Sequence, residues 1–107
     1  MIQVTFYRQF NRVTVEGHAG SGPEGHDLVC AAVSALAATL AGNVEHMEEM
    51  GAVRDMTVAL REGLAEIQCT PHRRYTHSVS LIYRAICVGF ELLATKYPEN
   101  ISYNVRG

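Results

Sequence analysis

Cys30, His18, Asp27 and Ser34 are the residues whose types and spacing could do chemistry. Cys30 follows by three residues Asp27, a good helix N-cap, so its sulfur falls in the first turn of a predicted helix. There the unpaired backbone N–H groups and the helix dipole favour an anion. Thiols in such settings titrate at roughly 3.5 to 7.5 instead of about 8.5, which gives a reactive thiolate at neutral pH. His18 closes a predicted strand, and a turn of chain through Gly20, Gly22 and Gly25 could bring it within hydrogen-bond reach of the sulfur. A nucleophile and its base would then be paired. Asp27 could orient the imidazole or serve only as the cap. Ser34, one turn beyond Cys30, could hold a substrate group or bond back to its own helix. On spacing alone Cys30 as a small core residue and His18 as a surface histidine both remain open.

Other constellations are weaker. Gly20-Ser21-Gly22-Pro23-Glu24-Gly25 matches the letters of a dinucleotide-binding loop, but the helix starts later and at an acidic cap that would repel phosphate. His18, His26 and Cys30 lack the paired spacing of a zinc site, so neither metal nor cofactor is expected. Cys69 and Cys87 fall on a strand and within a helix, as packing residues.

The 107 residues, 48% of them hydrophobic, suit one domain spanning 1–107, of a size that a dimer would help to stabilise. A net charge of −2, from 9 Lys+Arg against 11 Asp+Glu, gives no overall basic field, so no direct contact with nucleic acid is expected. The start Met1-Ile2-Gln3-Val4-Thr5 alternates and lacks the apolar run of an export signal or a membrane anchor. With three cysteines, an odd number, this points to reduced thiols and a cytoplasmic location.

The elements that must position these residues follow from periodicity. Ile2, Val4 and Phe6, then Val13 and Val15, alternate with polar residues as a hairpin. Gly17 to Gly25 reads as a loop over the site, with Gly20, Ser21, Gly22, Gly25 and His26 as its substrate-facing part. Val29, Val33, Leu36, Leu40, Val44 and Met47 mark a helix to about Met50. Its first half carries almost no charge, so packing on more than one face is expected. A second hairpin turns at Arg61-Glu62-Gly63. Val79, Ile82, Ile86, Gly89, Phe90, Leu93 and Tyr97 form the stripe of a second helix, and Ile101, Tyr103 and Val105 suit a last strand. The order ββαββαβ predicts an α+β, two-layer sandwich: a mostly antiparallel sheet with two helices on one face.

The run Gly17-His18-Ala19-Gly20, then Gly25, then Asp27-Leu28-Val29-Cys30-Ala31-Ala32-Val33-Ser34 resembles the signature of the ribosomal-processing cysteine proteases, the Prp family. The resemblance implies a homodimeric thiol protease with Cys30 as nucleophile, His18 as base, and Asp27 and Ser34 in support. Its implied substrate is a short hydrophobic N-terminal extension of large-subunit ribosomal protein twenty-seven, removed to permit ribosome assembly. Ser21 departs from the aromatic that many relatives carry after His-Ala-Gly, which bears on substrate affinity and loop closure. The competing expectation is a non-catalytic, ribosome-associated dimeric module that uses the apolar first helix to dimerise and Arg73-Arg74 to touch RNA.

Overall fold

The alternation at the N-terminus forms β1 (Ile2–Tyr7) and β2 (Arg12–Glu16), joined by a 3-10 turn over Arg8–Phe10. They pair antiparallel, with Val4 opposite Val15 and Phe6 opposite Val13, so each apolar set shares one face. The computed structural model describes residues 1–17 and 26–107; the side chains of His26 and Asp27 lie outside that description. The chain continues as α1 (His26–Glu49), β3 (Val53–Arg61), β4 (Leu64–Pro71), α2 (Thr76–Lys96) and β5 (Ile101–Arg106).

The sheet order is β3-β4-β2-β1-β5. Every pair is antiparallel except β1 and β5, which run parallel with Ile2 opposite Ile101. This is the expected two-layer α+β architecture, with both helices against the sheet. The one-residue bulge in β3 lies between Arg54 and Thr57, where Asp55 adopts a φ of 51°.

From α1, Val29, Val33, Ala37, Leu40, Ala41, Val44 and Met47 are buried, which keeps five of the six positions the spacing predicts, adds two alanines and leaves Leu36 partly buried at the margin. Ala31, Ala35, Ala38 and Thr39 are exposed, so the helix packs on one broad face in this chain and not on several. Against α2 it closes tightly. A Cβ on Gly89 would lie 2.8 Å from a Leu36 methyl, so the glycine admits the Leu36 side chain at the crossing. Both helices are long and apolar enough to cross a membrane; each buries one apolar stripe in the core, and α2 leaves a second one, with Leu81, Val88 and Leu92, exposed.

The centre of α2 is rotated from the expected stripe. Val79, Tyr83, Cys87 and Phe90 are its buried residues, while Ile82, Ile86 and Leu93 sit at the margin. Tyr83 reaches the core because its ring stacks on Phe6 at 6.1 Å and its hydroxyl donates to the Cys69 sulfur at 3.6 Å. A buried phenol with a partner avoids the cost of an unmade hydrogen bond.

Burial raises the titration of four core groups. It pushes the Cys87 thiol from an ordinary value near 9 up to about 11, against the opposing pull of the Tyr103 hydroxyl. Cys69, Tyr83 and Tyr103 shift the same way, each chiefly through burial. The folded chain therefore holds these protons when the unfolded chain has begun to release them. This contribution to stability is complete below pH 9 and is lost as the pH climbs toward about 11. Urea unfolding should show a lower midpoint at about pH 10.5 than at about pH 8; equal midpoints would contradict the assignment.

Candidate active site

Because α1 must lay its stripe across β3 and β4, its first turn comes to the end of the sheet where β2 finishes and the β3–β4 hairpin turns. A groove of about 500 Å³ opens there. One wall is α1, with Cys30, Val33, Ser34, Ala37 and Ala38. The other is the hairpin from Leu60 to Ala65, and Ile2, Val15 and Gly17 complete it from the neighbouring strands. Cys30 is half-buried in this groove, whereas Cys69 and Cys87 are buried in the core. Only Cys30 combines a helix start with access from an open cleft.

Ser34 lines the groove one turn beyond Cys30, as their i, i+4 spacing requires. His18, Gly20, Ser21, Gly22 and Gly25 lie outside the described residues, as do the side chains of His26 and Asp27. The helix begins at His26, so Asp27 is its second residue and not its cap. A carboxylate in the first turn still meets the positive end of the dipole. The same shift places Cys30 fifth in the helix, with its amide in the i→i−4 ladder. Helical amides available to an oxyanion lie earlier than this, no further along the helix than Leu28. Among the described residues no group of three His, Cys, Asp or Glu could hold a metal ion.

Gly17 and the hairpin turn are site elements that the spacing of reactive residues does not reveal. The Gly17 amide donates to the Gly63 carbonyl at 3.0 Å, tying the end of β2 to the two-residue turn Glu62-Gly63. Gly17 has a φ of 110°, and a Cβ there would run into the Met1 carbonyl. The position therefore demands glycine on both counts. The backbone reaches His18 from a fixed point on the groove wall. The sequence signal was present, since Gly17 opens the Gly-His-Ala-Gly run.

An anion on the Cys30 sulfur would lie near the positive end of α1, at the wall of a mainly apolar cleft whose hairpin side also carries Arg61 and Glu62. Such an arrangement suits nucleophilic attack on a carbonyl.

Comparison with known proteins agrees with this geometry. The chain is similar to protein SMU.848 of Streptococcus mutans, at 29% identity and a TM-score of 0.72, with 99% of this chain and 94% of that one covered. It shares its fold with the essential ribosomal processing protease Prp of S. aureus, solved in complex with a substrate peptide. That likeness has 23% identity, a TM-score of 0.69, and 98% and 97% coverage. A second structure of the S. aureus protein, with a covalently linked product peptide, matches at 24% identity and a TM-score of 0.67, covering 98% of this chain and 97% of that one. No curated protein matches the chain. The family described as cysteine protease Prp matches residues 1–102, and the chain belongs to that family of cysteine proteases.

Proposed function

We propose that Cys30 and His18 carry out peptide-bond hydrolysis, and that the substrate is the short hydrophobic N-terminal extension of large-subunit ribosomal protein twenty-seven. The observation that carries this reading is the half-buried Cys30 at the start of α1, on the wall of an apolar groove, while the other two thiols are buried. Ala38, Leu60 and Leu64, exposed in the lining, offer apolar surface to an apolar peptide. The S. aureus relative of this fold has been seen with a substrate peptide and with a covalently linked product peptide. A covalent peptide is what acyl transfer passes through.

In the proposed reaction His18 takes the thiol proton and the Cys30 sulfur attacks the scissile carbonyl carbon. The C–N bond then breaks, His18 returns the proton to the departing amine, and a thioester remains. Water, deprotonated by His18, attacks the thioester and releases the new carboxylate, with the proton returned to sulfur. Free amides in the first turn of α1 are placed to receive the oxyanion, a contribution of about 3 kcal/mol for a well-aimed donor. Asp27 supports the imidazole and Ser34 the bound peptide. Gly20, Ser21, Gly22 and Gly25, outside the described residues, are proposed to face the substrate, with Ser21 where an aromatic is common, whereas His26, expected in the same loop, belongs to α1.

We place the enzyme in the cytoplasm as a homodimer. The dimer reading draws on the outer face of α2, where Leu81, Ala85, Val88 and Leu92 recur at steps of four, three and four and are all exposed. Such a seam buries well against a second helix. Val88→Glu with Leu92→Glu should shift the protein to monomer in size-exclusion chromatography with light scattering; an unchanged mass would place the interface elsewhere.

The substrate claim is tested by mass spectrometry of a peptide spanning the extension junction. Wild type should cut one bond, and Cys30→Ala and His18→Ala should lower the rate by at least about a thousandfold while still binding the peptide. Cleavage retained by folded Cys30→Ala would overturn the nucleophile. Binding without cleavage by wild type would overturn the substrate.

A further inference from the structure

The net charge of −2 conceals an uneven distribution. Arg12 faces Glu66 and Arg54 faces Asp55. Among the described residues the other basic side chains make no ion pair: Arg61 at the end of β3, Lys96 at the end of α2, and a group of five, Arg8, Arg73, Arg74, Arg84 and Arg106.

Topology brings these five toward one end of the sheet, away from the catalytic groove. β1 and β5 are parallel with Tyr7 opposite Arg106, so Arg8 and Arg106 follow their carboxyl ends. β4 runs the same way, because both β1 and β4 are antiparallel to β2, and it delivers Arg73 and Arg74 to that end. α2 starts there and carries Arg84 in its third turn. The acids of this end, Glu45, Glu48, Glu49 and Asp55, belong to the close of α1 and to β3. β3 stands three strands from β1, or about 14 Å, so these acids lie beyond the screening length of about 8 Å from the carboxyl end of β1, whereas Arg73 and Arg74 follow β4, next to β3, and stand nearer to them.

Between the end of β1 and α2 lies a cavity of about 280 Å³ lined by Phe6, Arg8, Gln9, Ser80 and Arg84. Phe6 is buried and forms its floor. Every charged group in the lining is a guanidinium, and Gln9 and Ser80 add neutral donors, so the notch suits an oxyanion. One residue beyond Gln9, in the same 3-10 turn, Phe10 is 60% exposed. Arginines that continue beyond the notch, together with an exposed aromatic, favour a chain of phosphates bearing bases over a lone anion.

We propose that this end of the sheet binds single-stranded nucleic acid, with one backbone phosphate between Arg8 and Arg84 and a base stacked on Phe10. The six residues of β1 separate it from the catalytic groove by about 20 Å, so nucleic acid and peptide can be held at once. The site does not depend on the catalytic roles of Cys30 and His18, and it runs against the expectation drawn from net charge alone.

The test is fluorescence anisotropy with a fluorescein-labelled single-stranded 12-nucleotide RNA, the DNA of the same sequence, and a labelled polyglutamate peptide, each over a salt series. RNA should bind and polyglutamate should not. Arg8→Ala with Arg84→Ala should weaken RNA binding by about tenfold or more. The same pair should reduce the slope of log K against log salt by about 0.7, because one fewer phosphate charge is neutralised. Phe10→Ala should weaken binding by about tenfold with the slope unchanged. Arg54→Ala should change neither, and all these variants should keep peptide cleavage at the wild-type rate. Tighter binding of RNA than DNA would identify a 2′-hydroxyl contact, and equal binding the backbone alone. No RNA binding at low salt, equal binding of polyglutamate, or indifference to the arginine pair would overturn the proposal.

Discussion

The apolar stripe of α1 has to be buried, and the surface available to it is the face of β3 and β4. That constraint fixes which end of the helix meets which end of the sheet. Because β3 follows α1 directly and pairs with β4, the helix must start where the hairpin turns and end where β3 begins. The positive end of its dipole therefore opens into a cleft whose far wall is the hairpin. Cys30 is then in the one place where helix electrostatics and an open groove coincide. The same packing leaves Cys69 and Cys87 as core thiols whose burial favours the neutral form. Three chemically identical side chains thus take two different roles.

A second constraint refines the first. The hydrogen bond from Gly17 to Gly63 binds β2 to the hairpin turn, and the positive φ of Gly17 leaves no room for a side chain beside Met1. The backbone on one flank of the groove is thereby held to the backbone on the other. Gly17 and Cys30 thus sit on two segments that the sheet and α1 position separately, which is the kind of support a precise site requires.

Much of this was legible in the residues. Alternation located both hairpins and the last strand, and the turn at Glu62-Gly63 was visible because it joins two clean period-two segments. What escaped depended on distant partners. Ile82 and Ile86 look as apolar as any core pair, and only the ring of Phe6 and the sulfur of Cys69 reveal why Tyr83 is central instead. The parallel pairing of β5 with β1 and the hairpin wall of the groove are likewise set by strand order, which local spacing does not encode. Cys30 and Ser34 could be read as neighbours because helix periodicity is local. α1 already includes His26, at least two residues ahead of the start that a cap at Asp27 predicts, and this moves the Cys30 amide from a free donor into the helix ladder.

The central claim is that the fold makes the Cys30 thiol a nucleophile with His18 as its base. The rate of iodoacetamide alkylation of Cys30, followed by mass spectrometry from about pH 5 to 9 in wild type and His18→Ala, tests it most directly. The account predicts rapid alkylation of wild-type Cys30 at neutral pH, slower alkylation without His18, and protection of Cys69 and Cys87 until the chain unfolds. Alkylation of Cys30 at the rate of an unfolded thiol, with no effect of His18, would contradict it.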